Sequence, residues 1–399
     1  MPALSDLRRD AAAQIEAWAA SGAMALTRTT SGDLVGPPAG LVPKLARVAS
    51  TIEARARDLG GALVVDPLPL LGERAAVAGL PPGGATSCGG ASRLLAGDAG
   101  WLALTLARPE DLDLVPAWLG LDGPPDDPWA EATTALAAQP MDGLVAQARL
   151  LGLPHGVVPA PRPGDPADAP LPAGWMPVAG PAPAGPRLAE LTVADLTSLW
   201  AGPLCGSLLA DAGATVIKVE STDRPDGARR GPIPFFELMN GTKRSAAVDL
   251  RSPGGVAELR TLLAEADVVL EGSRPRALEQ LGIDAAEVVA TGRTRVWVSI
   301  TAHGRAAPGR ERVGFGDDTA AEGGLVAWAE GRPWFLADAV ADPTTGLVAA
   351  AATLEAVARG GRGVLDVALS RVAAFLAGPT LPLDGWTGTP TPPRARPTR

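Results

Sequence analysis

The sequence predicts an α/β fold, with a Rossmann-like parallel sheet wrapped by helices and a smaller α+β domain. Short segments rich in β-branched residues recur between residues 187 and 378, and helical segments separate them. These segments lack the polar alternation of a strand with one solvated face, and buried parallel strands have this near-continuous apolar character. Strands that alternate with helices indicate a parallel sheet with crossover helices.

The individual elements follow from the same pattern and from glycine and proline punctuation. The predicted strands are residues 188–196, 214–220, 267–271, 295–301 and 363–369. Helices are predicted over residues 203–212, with Gly213 as the stop, over 253–266, after Pro275, after Ile283, and over 347–359.

Two proline-rich segments bound the predicted sheet domain. Residues 159–186 and 379–399 contain too much proline for regular structure. We therefore predict a linker over 159–186, a Rossmann-like domain over 187–378 and a flexible tail over 379–399.

An internal repeat links the first 80 residues to the predicted sheet domain. Thr51 and Thr353 each begin a Thr-x-Glu-Ala stretch, which glycines, a short apolar strand and an aspartate follow. This separation suggests duplication and not a solenoid, although two alanine-rich helices that match by composition are the alternative. Gly40 or Leu41 falls opposite Asp342. Residues 1–80 are therefore predicted to be a degenerate copy of the second half of the large domain, without its carboxylate.

Bulk properties exclude some classes of function. The 399 residues carry a net charge of −9, which disfavours nucleic acid as a partner and broad steering of anions. Two distant cysteines indicate a reducing compartment without disulfides, and two histidines without paired-ligand spacing make a zinc site improbable. No apolar run reaches membrane-spanning length. We expect a cytoplasmic protein with no metal site and no membrane partner.

Asp342 is the leading candidate for chemistry. It lies at the mouth of the predicted small-residue helix, directly before Pro343. A carboxylate there is either a nucleophile or an N-cap, because an acidic residue before a proline at the first helical position is a favourable cap. Asp338 is the fallback candidate, and Asp317 and Asp318 are weaker ones.

Five segments in fixed order carry a family resemblance. They are Asp195 to Glu220, with Ala201-Gly202-Pro203 at a strand-to-helix turn; Asn240-Gly-Thr-Lys243-Arg244-Ser245; Glu271-Gly-Ser-Arg274-Pro275; Ser299 to Gly304; and Asp342 with Gly346. A nicotinamide site is disfavoured because Gly-x-Gly-x-x-Gly is missing. The series resembles the family III CoA-transferases, which include carnitine and bile-acid CoA-transferases, formyl-CoA transferase and α-methylacyl-CoA racemase.

The resemblance implies an activity and a set of site residues. Asp342 would attack an acyl-CoA thioester, and CoA would pass to a carboxylic acid without a permanently bound cofactor. The residues implied to contact CoA or substrate are Ala201, Gly202, Arg229, Lys243, Arg244, Arg274 and Gly346. Three positions depart from the family pattern: Gly272 and Ser273 replace asparagine and phenylalanine, and Ser221 replaces an arginine. Arg224, Arg229 and Arg230 are the possible substitutes for that arginine.

The order of the parts is unusual for this family. Residues 81–158 resemble its small α+β domain, which usually follows the catalytic aspartate and here precedes it, so the chain looks permuted or partly duplicated. Family members are interlocked dimers, and a homodimer is one possibility here. A racemase and a non-catalytic CoA-binding subunit are the alternatives. The racemase is disfavoured because Phe315 stands where the proton-shuttling histidine is expected, and His303 is a weaker substitute.

Overall fold

The computed structural model describes residues 10–180 and 186–397. Its N-terminal part is a layer of helices. The helices are α1 (Ala11–Ala20), α2 (Ala23–Leu26), α3 (Leu41–Asp58) and α4 (Glu73–Ala78). Helix α3 follows Gly40, whose φ of 88° lies in the left-handed region where glycine has no steric penalty. Ten residues of α3 are buried, so this helix belongs to the core.

The smaller domain is a three-stranded antiparallel sheet covered by three helices. Its elements are β1 (Ser92–Gly97), β2 (Gly100–Thr105), α5 (Pro109–Leu119), α6 (Pro128–Ala138), α7 (Met141–Leu151) and β3 (His155–Val158). One face of the sheet packs under the helices around the buried Trp118. The other face packs Leu94, Ala103 and Val158 against the large domain.

A seven-stranded sheet forms the large domain and confirms the predicted fold class. Its strands are β4 (Ala173–Pro177), β5 (Thr192–Asp195), β6 (Thr215–Ser221), β7 (Arg244–Val248), β8 (Val268–Glu271), β9 (Val296–Thr301) and β12 (Gly363–Ala368). Strands β10 (Ala327–Ala329) and β11 (Arg332–Trp334) form a separate hairpin. The helices are α8 (Ala201–Asp211), α9 (Ile233–Asn240), α10 (Pro253–Glu265), α11 (Arg276–Glu279), α12 (Ala285–Thr291), α13 (Gly316–Gly323), α14 (Ala341–Ala358) and α15 (Leu369–Leu376).

The strand order creates a natural ligand position. The order is β4-β12-β9-β8-β5-β6-β7, and every neighbouring pair is parallel except β4 with β12. From β5 the chain moves outward through β6 and β7, then crosses to β8, β9 and β12 on the other side. The carboxyl ends of β5 and β8 therefore flank a topological switch point, where open α/β sheets bind ligands.

Side chains on the two faces of the sheet pack into separate helix layers. Val193 and Val268 belong to one core with residues of α3, α8, α14 and α15. Ala194 and Val269 belong to a second core with residues of α10 and α12. None of the helices within residues 10–180 and 186–397 combines the length and apolar character that a membrane span requires.

Two segments that were predicted to lack regular structure are held by the fold. Within the predicted linker, β4 pairs antiparallel with β12, because an edge strand tolerates nearby prolines. The described part of the predicted tail has no helix or strand, but Arg396 pairs with Glu73 and Trp386 Nε1 donates to Glu16 Oε1 at 2.9 Å. The tail is therefore anchored and not loose. Residues 181–185 and 398–399 lie outside the described residues, and the domain limits stay predictions.

The N-terminal helices match the elements around α14 in size and order. Helices α3 and α14 each have 18 residues and pack against each other. A bridge between Arg28 and Leu34 precedes α3, as the β10–β11 hairpin precedes α14. Gly40 precedes α3, and Asp342 lies in the first turn of α14. This agreement supports the duplication, which stays a prediction.

A buried ion pair ties the Asn-x-x-Lys-Arg segment to the turn after β5. Lys243 Nζ donates to Asp195 Oδ2 at 2.7 Å, to the Pro203 carbonyl at 2.8 Å and to Asn240 Oδ1 at 3.0 Å. Although burial acts against the charge, Lys243 and Lys218 lower the pKa of Asp195 overall. All three N–H groups of Lys243 are therefore used inside the protein.

We expect Lys243→Met to lower the free energy of unfolding by about 3–5 kcal/mol, because it leaves the Asp195 carboxylate buried without a counter-ion. Denaturant titration followed by circular dichroism measures this change. Arg244→Met is the matched control: its exposed side chain should allow a change of no more than about 0.5 kcal/mol. Equal effects of the two variants would contradict the structural role of Lys243.

Gly346 allows α8 and α14 to pack closely. A Cβ at this position would lie 2.6 Å from the Ala201 carbonyl oxygen and 3.0 Å from Leu204 Cβ.

We expect Gly346→Ala to destabilise the protein by about 1–3 kcal/mol through overpacking. Thermal and denaturant unfolding measure this change. The control is Gly143→Ala in α7, where a Cβ meets nothing within 4 Å. That change should stabilise the protein by about 0.5–1 kcal/mol; stabilisation by both would show that α8 and α14 are loosely packed.

Candidate active site

Asp342 lies inside the first turn of α14. The helix begins at Ala341, six residues before the predicted start, and Asp342 is its second residue. The side chain makes no capping bond to the helix, so the N-cap interpretation is wrong. Its carboxylate accepts instead from the Gly316 backbone N–H at the start of α13. A Cβ on Gly316 would collide with Asp342 Oδ2, so this approach requires glycine.

The segment before α14 adopts an uncommon backbone. Ala337 and Ala339 have φ values of 47° and 43°, which are rare for residues with a Cβ. Hydrogen bonds from the N-terminal helices and the small domain hold it: Ala337 N–H donates to Thr27 Oγ1 at 3.0 Å, and Phe335 N–H donates to the Gly84 carbonyl at 2.9 Å. Strained backbone that the surroundings hold in place is common at functional sites.

Four aspartates lie close together here, from α13, α14 and the segment that precedes α14. Burial is the main cause that raises the pKa of Asp342 to about 7, that of Asp317 to about 6 and that of Asp318 to about 8. The fourth, Asp338, is fully buried and ion-paired. Within the described residues, no group of three histidines, cysteines or carboxylates is arranged to hold a metal ion.

Arg74 supplies the positive charge of this cluster. Its Nε donates to Asp338 Oδ2 at 2.9 Å and its Nη2 donates to Asp338 Oδ1. Arg74 lowers the pKa of both Asp342 and Asp317, which opposes the effect of burial. The residue belongs to α4, within the segment predicted to be a degenerate copy. The guanidinium also lies 5.6 Å from the centre of the Trp200 ring, at the turn into α8.

The small domain closes the other side of the cluster. Ser92 Oγ donates to Asp317 Oδ2 at 3.1 Å, and Thr105 Oγ1 donates to Asp318 Oδ1 at 2.9 Å. Asp318 also accepts from the Phe315 backbone N–H at 2.9 Å. The site is therefore assembled from the N-terminal helices, the small domain and the large domain together.

A cavity of about 180 Å³ lies at the switch point of the large sheet. Residues that follow or end four parallel strands line it: Leu196 after β5, Ser221 in β6, Val248 in β7 and Ser273 after β8. Ligand pockets for whole drug-sized molecules are larger, about 300–1,000 Å³. This cavity therefore fits one ring system of a larger ligand.

Both signs of charge lie at this cavity. Arg224 lines it together with the acidic Glu220 and Asp226, and Arg274 follows β8 on the surface. Partial burial and the neighbouring Arg276, Arg108 and Arg224 lower the pKa of Arg274, although the group stays cationic. An acidic protein thus carries a local basic patch at the carboxyl end of its sheet, where an anion would be drawn.

The residues implied at the first turn are packed in the protein. Ala201 and Gly202 begin α8, and a Cβ on Gly202 would collide with Thr197. Gly346 faces Ala201 and Leu204, so the side of this glycine without a Cβ is filled by α8. Contact of Ala201, Gly202 or Gly346 with CoA stays a prediction.

The other implied CoA contacts differ in accessibility. Arg244 and Arg274 are exposed. Arg229 is ion-paired, with Nε 2.9 Å and Nη2 2.6 Å from the carboxylate oxygens of Glu220. The N–H groups of Lys243 donate to three partners inside the protein, so this arrangement does not favour its contact with a phosphate. CoA contacts by these four residues stay predictions.

His303, the weaker candidate for proton transfer, has an acidic partner. Its side chain is buried with Nδ1 3.2 Å from Glu322 Oε2, and burial lowers its pKa to about 4. Phe315 directly precedes α13 and packs near the Arg108 guanidinium. Gly323 and Gly324 lie at the other end of α13, where Gly323 packs against α15.

Arg74 is the main site residue that the sequence did not reveal. It is the sole basic residue between Arg57 and Arg93, and that isolation within an apolar stretch is the one signal that points to it. Ser92, Thr105, Arg108 and Arg276 carried no distinguishing pattern.

Known relatives match part of this chain. The succinyl-CoA–D-citramalate CoA-transferase of Chloroflexus aurantiacus is 35% identical over 147 residues, which are 35% of this chain and 37% of the relative. The succinate–glutarate CoA-transferase of Agrobacterium fabrum is 32% identical over 213 residues, 48% of this chain and 53% of the relative. This chain thus spans between about a third and about half of the length of these curated relatives.

A solved structure and a family model also match. The crystal structure of a hypothetical protein from Mycobacterium tuberculosis has 34% identity and a TM-score of 0.45, and covers 49% of this chain and 57% of that chain. The model of CoA-transferase family III matches residues 188–397, just over half of the 399 residues. This chain therefore belongs to CoA-transferase family III.

Proposed function

We propose that this protein is a CoA-transferase that moves CoA from an acyl-CoA thioester to a carboxylic acid, with Asp342 as the nucleophile. The observation that carries the proposal is the setting of Asp342. Its carboxylate is half-buried at the entrance of α14, accepts from the Gly316 N–H and lies beside Arg74. A carboxylate nucleophile must be ionised and shielded from water, and this setting supports both needs.

The chemistry proceeds by exchange of acyl bonds. The Asp342 carboxylate attacks the thioester carbonyl, which forms a mixed anhydride and releases CoA thiolate. The thiolate then attacks the aspartyl carbonyl of the anhydride, releases the donor acid and leaves CoA bound to Asp342 as a thioester. The acceptor carboxylate attacks the aspartyl thioester, which forms a second mixed anhydride and again releases CoA thiolate. The thiolate then attacks the acceptor carbonyl of this anhydride, which gives the acceptor acyl-CoA and frees the Asp342 carboxylate. No oxidant, metal or added nucleotide is needed.

Two features favour the ionised form of Asp342, whereas burial favours its neutral form. The first turn of a helix stabilises a negative charge by about 0.3–1 kcal/mol when exposed, and by up to about 2 kcal/mol when partly buried. The Arg74 guanidinium adds a fixed positive charge, because arginine stays protonated. With its pKa raised to about 7 by burial, Asp342 is about half ionised at neutral pH.

The switch-point cavity is where we place the nucleotide end of CoA. Ser198 lines this cavity, and Trp200, two residues later, stacks on Arg74 beside Asp338. The turn from Ser198 to Ala201 thus joins the cavity to the aspartate cluster. Arg224 and Arg274 supply positive charge for the phosphates at the cavity end. A pantetheine arm that follows this turn would bring the thioester to Asp342.

The acyl groups are not determined by these contacts. The two curated relatives described above carry succinyl, citramalate and glutarate groups in their names, so donors and acceptors are to be found by screening. Succinyl-CoA with D-citramalate or glutarate is the natural first set.

We expect Asp342→Asn to reduce transfer by about 10⁴-fold or more, because an amide cannot form the anhydride. Wild-type protein incubated with acyl-CoA and then treated with hydroxylamine or borohydride should show a modified peptide that contains Asp342 in mass spectrometry. The Asn variant should bind CoA with unchanged affinity in calorimetry. Turnover retained by the Asn variant would exclude Asp342 as the nucleophile.

The same incubation in deuterated water separates the alternatives. A racemase would exchange the α-proton of the acyl group with deuterium, and a non-catalytic CoA-binding subunit would give neither exchange nor adduct. Phe315 offers no proton-transfer group, and the buried His303 has a pKa lowered to about 4. We therefore expect the adduct without exchange.

We expect kcat/KM for transfer to rise with pH to a plateau, with a midpoint near pH 7. The carboxylic acid substrates are already ionised there, so the limb reports the free enzyme, in which burial raises the pKa of Asp342 to about 7. Below the midpoint, activity should fall about tenfold per pH unit. Asp318→Asn is the control, since Asp318 bonds to Thr105 on the small-domain side. Loss of the limb in that variant would assign it to Asp318.

A further inference from the structure

Arg74 joins the N-terminal helices to the candidate active site. Its guanidinium forms a bidentate contact with the fully buried Asp338. The guanidinium also packs beside the Trp200 ring. A Cβ on Gly89, in the small-domain loop, would lie 3.2 Å from Arg74 Nη2. One side chain therefore touches three parts of the chain at the entrance of α14.

Asp338 lies in the turn that leads into α14. It lies between Ala337 and Ala339, both in the left-handed region, and its own N–H donates to the Leu71 carbonyl at 3.3 Å. The Asp342 N–H donates to the Ala339 carbonyl at 2.8 Å. A contact that holds the Asp338 side chain in place therefore also holds the turn that leads directly to Asp342.

Arg74 also supplies positive charge that lowers the pKa of Asp342. The charged groups that face Asp342 are Arg74 from α4, Asp317 from α13 and Asp338 from its own approach segment, with the Gly316 N–H as a fixed dipole. Two of these groups are acidic, so Arg74 opposes both their negative charge and the desolvation of Asp342.

We propose that Arg74 is a positioning residue for the transfer reaction: its guanidinium holds Asp338 and the turn before α14 through two hydrogen bonds, and its positive charge stabilises the Asp342 carboxylate. This inference rests on the proposed function of Asp342. Helix α4, within the segment predicted to be a degenerate copy, thus contributes a residue to the candidate active site of the large domain.

Carbon-13 NMR of protein labelled at the aspartate carboxyl carbon tests the charge directly and needs no activity. The resonance that disappears in Asp342→Asn reports the titration of Asp342. We expect its midpoint near pH 7 in the wild type and about 1–3 pH units higher in Arg74→Met, since an opposite charge nearby shifts a carboxyl by that amount. The pH limb of kcat/KM should move by the same interval.

Two variants keep the test informative if Arg74→Met folds poorly. Arg74→Met with Asp338→Asn removes one cation and one anion, so no charged Asp338 is left without its partner and the Asp342 midpoint should return towards 7. Arg74→Lys keeps the charge but loses the bidentate fork. Its midpoint should stay within about 0.5 unit of the wild type while kcat falls about tenfold, since positioning depends on the planar pair.

Arg312→Met is the matched control. Arg312 forms a similar two-pronged ion pair, with Glu322, at 2.7 Å and 2.8 Å, and its loss should leave the Asp342 midpoint unchanged. An unmoved midpoint in Arg74→Met, or unchanged kcat in Arg74→Lys, would overturn the inference. If instead Asp342→Asn keeps turnover while the midpoint moves, the proposed function fails and the electrostatic role of Arg74 stands.

Discussion

Asp338 is a carboxylate without solvent access, and its contact with Arg74 compensates for that burial. A buried charge that loses its partner costs about 3–5 kcal/mol. The ion pair therefore forms only when the segments that carry its two residues are docked against each other. Asp338 belongs to the large domain and Arg74 to α4. The two left-handed alanines beside Asp338 are tolerated because this contact and the neighbouring backbone bonds hold them. The geometry around Asp342 is therefore a consequence of docking between distant parts of the chain.

The predicted duplication would give this docking a simple description. Helices α3 and α14 lie side by side, one directly after Gly40 and the other with Asp342 in its first turn. The two predicted copies would thus pack against each other within one chain. The first half then provides packing and a cation, and the second provides the carboxylates. Whether two such chains associate stays a prediction.

The sequence predicted the parts of the fold that depend on local pattern. Strands β5, β6, β8, β9 and β12 were found because buried parallel strands have a distinctive composition. Strand β4 was missed because it is an edge strand among prolines, where the pairing partner supplies the order. Asp342 was singled out by its motif, whereas Arg74 was not, because 268 residues separate it from Asp342 and only tertiary packing brings them together. The packing of Gly346 against α8 could not be predicted either, because it depends on the tertiary approach of two helices.

The anchored tail has a consequence for handling the protein. Arg396 binds Glu73 through its backbone N–H and its guanidinium, and Glu73 directly precedes Arg74 in α4. A preparation clipped by protease shortly before Arg396 would leave Glu73 without that counter-ion while the central sheet kept its spectrum. Circular dichroism of such a sample would still indicate a folded protein, although the contacts of Glu73, next to Arg74, would be changed. Intact mass is therefore the quality measure to record before any rate is compared.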